Sequence, residues 1–212
     1  MPYRIRPGLS YCLCEGRPIF LDVDSGRYST LPEALCGPFS ALLSGEDEIA
    51  VSAIERLQAL GVIKKGVPTP AAIELLPAPT HELAATRGQT WPITAGIAQT
   101  VSAYRVRHVP LRKLLETEAG RRASNRSAAN WDLGRLRGDF DRIASLLGEA
   151  DACFPRSLAF RRLALRHGYR PAMVFGVKID PFAAHCWVQS GSRVDNDSIE
   201  RVRLFTPIHI LW

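Results

Sequence analysis

The chain has 212 residues, 46% of them hydrophobic, and carries 27 Lys or Arg against 21 Asp or Glu, a net charge of +6. That length and apolar fraction suffice for a core of one or two small domains and exclude a disordered chain. No apolar run approaches the roughly 20 residues of a membrane span, and the start MPYRIRPGLS lacks the apolar centre of a secretion signal, so the expected location is the cytoplasm. Five cysteines (Cys12, Cys14, Cys36, Cys153 and Cys186) show no C-x-x-C pairing, which argues against a disulfide framework or a zinc site and for free thiols.

Charge divides the chain. Residues 1 to 64 are net −2 and the remainder net +8. Between them, prolines at 68, 70, 77, 79 and 92 interrupt regular structure, which places a linker or irregular crossing segment at 67–93 between a first domain at 1–66 and a second at 94–212.

The first part opens with LSYCLCEG and PIFLDVDSGRYSTL, rich in apolar, β-branched and aromatic residues. Asp24, Ser25 and Gly26 sit where a hairpin reverses, with Tyr28 to Leu31 returning. Helices are expected in PEALCGPFSALLSGE and in DEIAVSAIERLQALGVI, where Ile49, Ala53, Ile54, Leu57 and Leu60 recur at helical spacing before Gly61. A few strands with two or three helices form a winged-helix-like pattern. The acidic balance of the second helix argues against a DNA reader. An exposed strand edge beside an apolar helix instead suits a peptide added as a further strand.

The second part opens with helices. AGIAQTVSAYRVRHVPLRKLLETEAG carries an apolar stripe broken at Pro110, and DLGRLRGDFDRIASLLGEA places Leu133, Leu136, Phe140, Ile143, Leu146 and Leu147 on one face. Both read as core helices. His108 and the arginines at 121, 122, 126, 135 and 137 have no partner that sequence identifies and read as a solvated basic face.

Pro155 fits the first turn of a helix from about Phe154 to His167, ended by Gly168, which leaves Cys153 at the N-terminus. Unpaired N–H groups and the positive end of the helix dipole favour a thiolate there, and the same N–H groups suit an oxyanion. Position alone also fits a buried structural cysteine. After the apolar strand PAMVFGVKI, however, His185 begins a short β-like run, Ser190 and Gly191 suggest a turn, and Asp195 and Asp197 follow. A thiol, a proton acceptor and an orienting carboxylate make a nucleophilic set. Strand alternation puts Asp195 and Asp197 on one face, so periodicity leaves both open as the acid. Cys186 is expected to point away from His185 as a core thiol, and Trp187 to pack beside the histidine strand.

This order of Cys, His and acid is that of papain-like and transglutaminase-like thiol enzymes. The Cys153 region together with AHCWVQSGSRVDNDS resembles the B protein of lasso-peptide biosynthesis, a transglutaminase-like cysteine protease that removes the leader from a ribosomally made precursor. GRPIFLDVDSGRYSTL and the helices after it resemble the leader-recognition element fused to many such proteins. The resemblance implies an α+β chain with a small winged-helix-like peptide-binding domain before a papain/transglutaminase-like protease domain. It implies Cys153 as nucleophile, His185 as general base and Asp197 as acid, with Asp195 the alternative. The leader is expected to pair with Tyr28, Ser29, Thr30 and Leu31 and to pack on Ala53, Ile54 and Leu57. The short SGEDE between the helices, where the related elements have a further helix, implies a reduced groove. No cofactor is implied. The implied partners are the precursor peptide and an ATP-dependent macrolactam synthetase, with no specific nucleic acid and no membrane. An acyltransferase using the same three residues and a non-catalytic peptide chaperone are the alternatives.

Overall fold

The structure, a computed structural model, describes residues 3–46, 48–66, 76–86, 92–123, 132–147 and 152–212. Pro68, Pro70 and Arg126 lie outside the described residues.

Tight turns build the first sheet. Glu15 and Gly16 take φ of 50° and 77°, as a two-residue hairpin matching strand twist requires, and join β2 (Leu9–Cys14) to β3 (Arg17–Asp22). At the next reversal the Asp22 carboxylate accepts from Asp24 N–H at 2.9 Å and its carbonyl from Gly26 N–H at 2.7 Å, leading into β4 (Arg27–Thr30). The order is β2-β3-β4, all antiparallel, so β4 has a neighbour on one side only among the described residues. Phe20 faces Leu35 and Phe39 of α1 (Glu33–Ser44) and Ile54 and Leu57 of α2 (Val51–Ala59). A separate ribbon pairs β1 (Tyr3–Ile5) with β5 (Ile63–Lys65).

The opposite face of β3 does not meet solvent. Ile19 and Leu21, with Cys12 and Cys14, share one apolar cluster with Leu158, Phe175, Cys186 and Ile208 from the second half. A hydrogen bond of 2.9 Å between Ser10 Oγ and His209 Nδ1 lies over the same junction. The two halves therefore form a common core.

The second sheet has the order β10-β7-β8-β9-β6, built from β6 (His81–Glu82), β7 (Ala172–Lys178), β8 (Ala183–Ser190), β9 (Arg193–Val194) and β10 (Thr206–Leu211). It is antiparallel except where β6 runs parallel to β9. Part of the segment read as a linker thus contributes an edge strand, and Pro77 O accepts from Gln189 Nε2 at 2.8 Å. The helices are α3 (Ile93–His108), α4 (Leu111–Ala119), α5 (Leu133–Leu147), α6 (Cys153–Arg166) and the single turn α7 (Ile199–Val202). Leu133, Leu136, Phe140 and Ile143 are buried as their periodicity predicts; the side chains of Leu146 and Leu147 lie outside the described residues.

Two expectations are corrected. The apolar stripe of α3 is not its buried face: Ala95, Gln99 and Ser102 are buried, while Ile93, Ile97, Val101 and Tyr104 are exposed. The buried face shares a cluster with α6 in which Ala95 meets Ala159 and Ala164, and small side chains suit that packing. The basic face is solvated as expected at His108, Arg121, Arg122 and Arg135, but Arg137 is half-buried and most of these residues have partners. Arg121 donates to Glu118 at 2.8 Å, Arg135 lies 3.8 Å from Asp132, Arg137 donates to Asp141 at 3.2 Å, and His108 packs on Tyr104 with centroids 4.4 Å apart. These partners lie close in sequence, but spacing alone did not single them out.

Glu118 links α4 to α6. Its buried carboxylate accepts from Arg162 at 2.6 Å and from Arg121 at 2.8 Å. Burial alone would raise its pKa, but the hydrogen bonds from both arginines outweigh this and hold it below the usual carboxylate value. A depressed folded-state pKa stabilises the fold at neutral pH, and that contribution is lost as pH falls through the folded value. Glu118→Ala leaves Arg162 without its carboxylate in a buried setting, and the expected loss is about 3–5 kcal/mol in urea unfolding at pH 7. A loss that does not shrink on acidification would show that the ionised carboxylate is not the source.

Candidate active site

The site begins at the N-terminus of α6. Ala152 is the cap and its carbonyl accepts from Arg156 N–H at 2.9 Å, with Pro155 in the first turn. The N–H groups of Cys153 and Phe154 precede the first carbonyl that an intrahelical bond needs and are free for other acceptors. The N–H groups of Phe154 and of Cys186 lie near enough to the Cys153 sulfur to favour its thiolate.

His185 lies on β8 opposite Gly176 of β7. A Cβ at Gly176 would stand 2.7 Å from the Trp187 ring, so the missing side chain is what lets that ring lie across β7. The imidazole is flanked by Trp187, at 6.2 Å and 24° between planes, and by Phe205 at 5.0 Å. Its Nε2 meets Asp197 Oδ2 at 2.6 Å. This leaves Nδ1 for the hydrogen bond that the ring makes with the Cys153 thiol.

Asp197 and Asp195 separate here. The Asp197 carboxylate also accepts from Ser198 N–H at 2.8 Å, and its carbonyl accepts from Arg137 at 2.8 Å. Asp195 is fully buried and accepts from Ser190 Oγ and from Arg193 Nε, the latter at 2.7 Å. Asp195 does not reach His185. The expectation that the two acids share a face fails because β9 ends at Val194, so strand alternation no longer governs residues 195 to 197.

Buried polar groups tie the three segments together. Ser157 Oγ donates to Cys186 O at 2.9 Å and accepts from Asn196 Nδ2 at 2.9 Å, while Asn196 Oδ1 accepts from Val188 N–H at 2.7 Å. Ser157 lies one turn beyond Cys153, Cys186 follows His185 and Asn196 precedes Asp197. Cys186 itself is buried and in the shared core, away from the cluster that holds Trp187.

The electrostatics follow from these contacts. Burial would raise the Cys153 pKa, but the hydrogen bond and charge of His185 and the two backbone N–H groups hold it below its usual value. Burial would lower that of His185, but Asp197 and Cys153 push it up to about 9. For Asp197, burial is outweighed by the imidazolium and its carboxyl is held down. The three therefore favour a thiolate–imidazolium pair backed by a carboxylate.

A cavity of about 200 Å³ opens onto these groups, lined also by Gln99, Ala144, Arg156 and Arg201. Among the described residues, no three or more His, Cys, Asp or Glu side chains gather to hold a metal ion. Sequence reasoning did not find Gln99, Ser157, Arg137 or Phe205; only Asn196, beside Asp197, lay within the motif quoted for the site.

The residues expected to contact a leader divide. Leu31, Ala53, Ile54 and Leu57 are buried in the cluster around Phe20 and Phe39 and present no free groove, because α2 packs these side chains directly onto the sheet. Tyr28, Ser29 and Thr30 lie on β4, whose outer edge has no strand beside it among the described residues. Tyr28 packs on Phe182, three residues before His185, with centroids 5.7 Å apart.

Ser157→Ala would leave the Cys186 carbonyl and the Asn196 amide unpaired in a buried site. The expected result is a stability loss of about 1–3 kcal/mol and slower alkylation of Cys153 by iodoacetamide. Unchanged alkylation would show that this network does not set the Cys–His geometry.

The pattern of the transglutaminase-like superfamily matches residues 97–209, from α3 to β10. No curated protein and no solved structure matches the chain. The matched segment covers more than half of the sequence and contains Cys153, His185 and Asp197, and on that match the chain belongs to the transglutaminase-like superfamily.

Proposed function

We propose that this protein is a leader peptidase that cleaves a ribosomally made lasso-peptide precursor by thiol catalysis. The observation that carries the reading is His185 bridging Asp197 at 2.6 Å and the thiol of Cys153 at a helix N-terminus, beside a cavity. In this reading the Cys153 thiolate attacks the carbonyl of the last leader residue. The C–N bond then breaks and the His185 imidazolium gives its proton to the departing amine of the core peptide. Water, deprotonated by His185, releases the leader acid from the thioester. Asp197 orients the ring and stabilises its charge.

Recognition of the leader is assigned to the first sheet, in a winged-helix-like role, by addition of an extended segment to the open edge of β4. The Tyr28–Phe182 contact sets that edge beside the start of the histidine strand. The resemblance of residues 16–31 and the helices after them to leader-recognition elements supports the same assignment. An ATP-dependent macrolactam synthetase would then use the freed amine to close a ring on an acidic side chain. The location consistent with this role is the cytoplasm.

Cys153→Ala is expected to abolish cleavage of a leader–core precursor while leaving leader affinity nearly unchanged, read by mass spectrometry and fluorescence anisotropy. Persistent cleavage would remove the thiol mechanism, and transfer of the leader acyl group to an added amine in preference to water would make the protein an acyltransferase. The pH dependence has a defined sign. The reactive ion pair forms as the depressed Cys153 thiol ionises and is lost as His185 deprotonates, so kcat/KM should be bell-shaped with its alkaline limb near pH 9. Asp197→Asn removes a contact that raises the imidazole pKa, and should move the alkaline limb to lower pH. An alkaline limb that stays in place would exclude Asp197 as the partner of His185.

A further inference from the structure

Gln99 is the one uncharged polar side chain of α3 that lines the cavity of Cys153 and His185. It is 6% exposed, and its Oε1 is buried without a hydrogen-bond partner. Leaving such a group unpaired costs about 1–3 kcal/mol, and helix packing alone gives no reason for an amide there. The other polar groups at the site are spoken for. Ser157 and Asn196 satisfy each other and the backbone, and Asp197 holds His185. Arg156, which also has an unpaired buried Nε, is committed through Nη2 to Asp141. Because it is the oxygen that is buried, Nε2 is the end of the Gln99 carboxamide left to face the cavity as a donor.

We propose that Gln99 donates a hydrogen bond from its carboxamide to the carbonyl oxygen of the acyl group that Cys153 attacks, as that oxygen becomes an oxyanion. The assignment rests on the reading of Cys153 as the nucleophile. As sulfur bonds to the carbonyl carbon, the C=O electron pair moves onto oxygen. That charge needs donors fixed in advance. The Phe154 and Cys186 N–H groups stabilise the thiolate, so the donors assigned to the oxygen are the Cys153 N–H, free at the helix start, and the Gln99 amide that lines the cavity. When the tetrahedral adduct collapses, the pair returns to carbon, the leaving group departs and the thioester remains. A neutral donor suits this position: a cation would compete with His185 for the thiolate, whereas an amide meets the oxyanion without a net charge of its own.

Two reagents that need no knowledge of the natural substrate separate this role from a structural one. p-Nitrophenyl acetate acylates a thiolate through an oxyanion and releases p-nitrophenolate. Iodoacetamide alkylates the same thiolate at a saturated carbon, expels iodide and forms no oxyanion. Gln99→Ala, and Gln99→Met, which has a similar side-chain volume and adds no charge, should slow the p-nitrophenol burst from Cys153 by about 10²–10³-fold while leaving iodoacetamide labelling of Cys153 unchanged. Cys153→Ala supplies the background. An unchanged burst in Gln99→Met would reduce Gln99 to a packing residue. An equal fall in burst and alkylation would mean that it only supports the Cys–His pair, and either result overturns the proposal. If the burst depends on Gln99 while the precursor remains uncut, the assignment stands and the leader-peptidase reading fails. If wild type alkylates at Cys153 but gives no burst, the acyl-transfer reading and the Gln99 assignment fall together.

Discussion

The site depends on the buried hydroxyl of Ser157. A helix start, a strand and a loop each supply one of Cys153, His185 and Asp197, and no covalent feature aligns them. Ser157 reaches the carbonyl next to His185 and receives the amide next to Asp197, so one side chain on α6 fixes the depth of β8 and of the 195–197 loop together. Asn196 extends the link to Val188 N–H, which sets the loop against β8 beyond the end of β9. Each bond is buried, so water does not compete for it, and a slip of any one segment would leave several groups unpaired. Such a network holds the reactive groups in register while leaving their own hydrogen-bonding atoms free for one another.

Burial and charge oppose each other at the same place. The environment that raises the cost of a thiolate and of an imidazolium taken singly also strengthens their attraction. Hydrogen bonds decide the outcome: two N–H groups and His185 on the sulfur, and Asp197 on the far ring nitrogen. Asp195 is the internal control. Equally acidic and two residues away, it accepts from Ser190 and Arg193 instead, and burial drives its carboxyl pKa up rather than down. Proximity in sequence therefore does not make an acid part of the site; its partner does.

The contrast between those two acids also marks how far the sequence could be read. The helix start at Cys153 was legible because Pro155 and Gly168 bracket the helix chemically, and the hairpin returning through Tyr28 because Asp24, Ser25 and Gly26 announce a reversal. Asp195 against Asp197 was not legible, since the choice turns on where β9 stops pairing. Gln99 left no trace, lying 54 residues before Cys153 in a helix whose more hydrophobic stripe faces outward. The arginines misled for a related reason: charge composition reports a basic half, but Glu118, Asp132 and Asp141 find their partners through helix spacing and tertiary packing. Chemistry bound to local turns was readable, and chemistry assembled across elements was not.

The shared core bears on how the first sheet acts. A recognition module on a flexible linker raises the local concentration of a substrate but leaves its direction free. Here Ile19 and Leu21 of β3 are buried with Phe175 and Ile208, and Ser10 bonds to His209, so the first sheet is seated on the second. With β3 held in that way, the direction of β4 is fixed with respect to His185. A strand added along β4 would then approach Cys153 along one course, and the cleavage position would be determined by the number of residues between the paired segment and the nucleophile. On the proposed reading, the common core converts binding at a distance into a measurement of length, a constraint that neither a loosely tethered chaperone nor a lone thiol protease would impose.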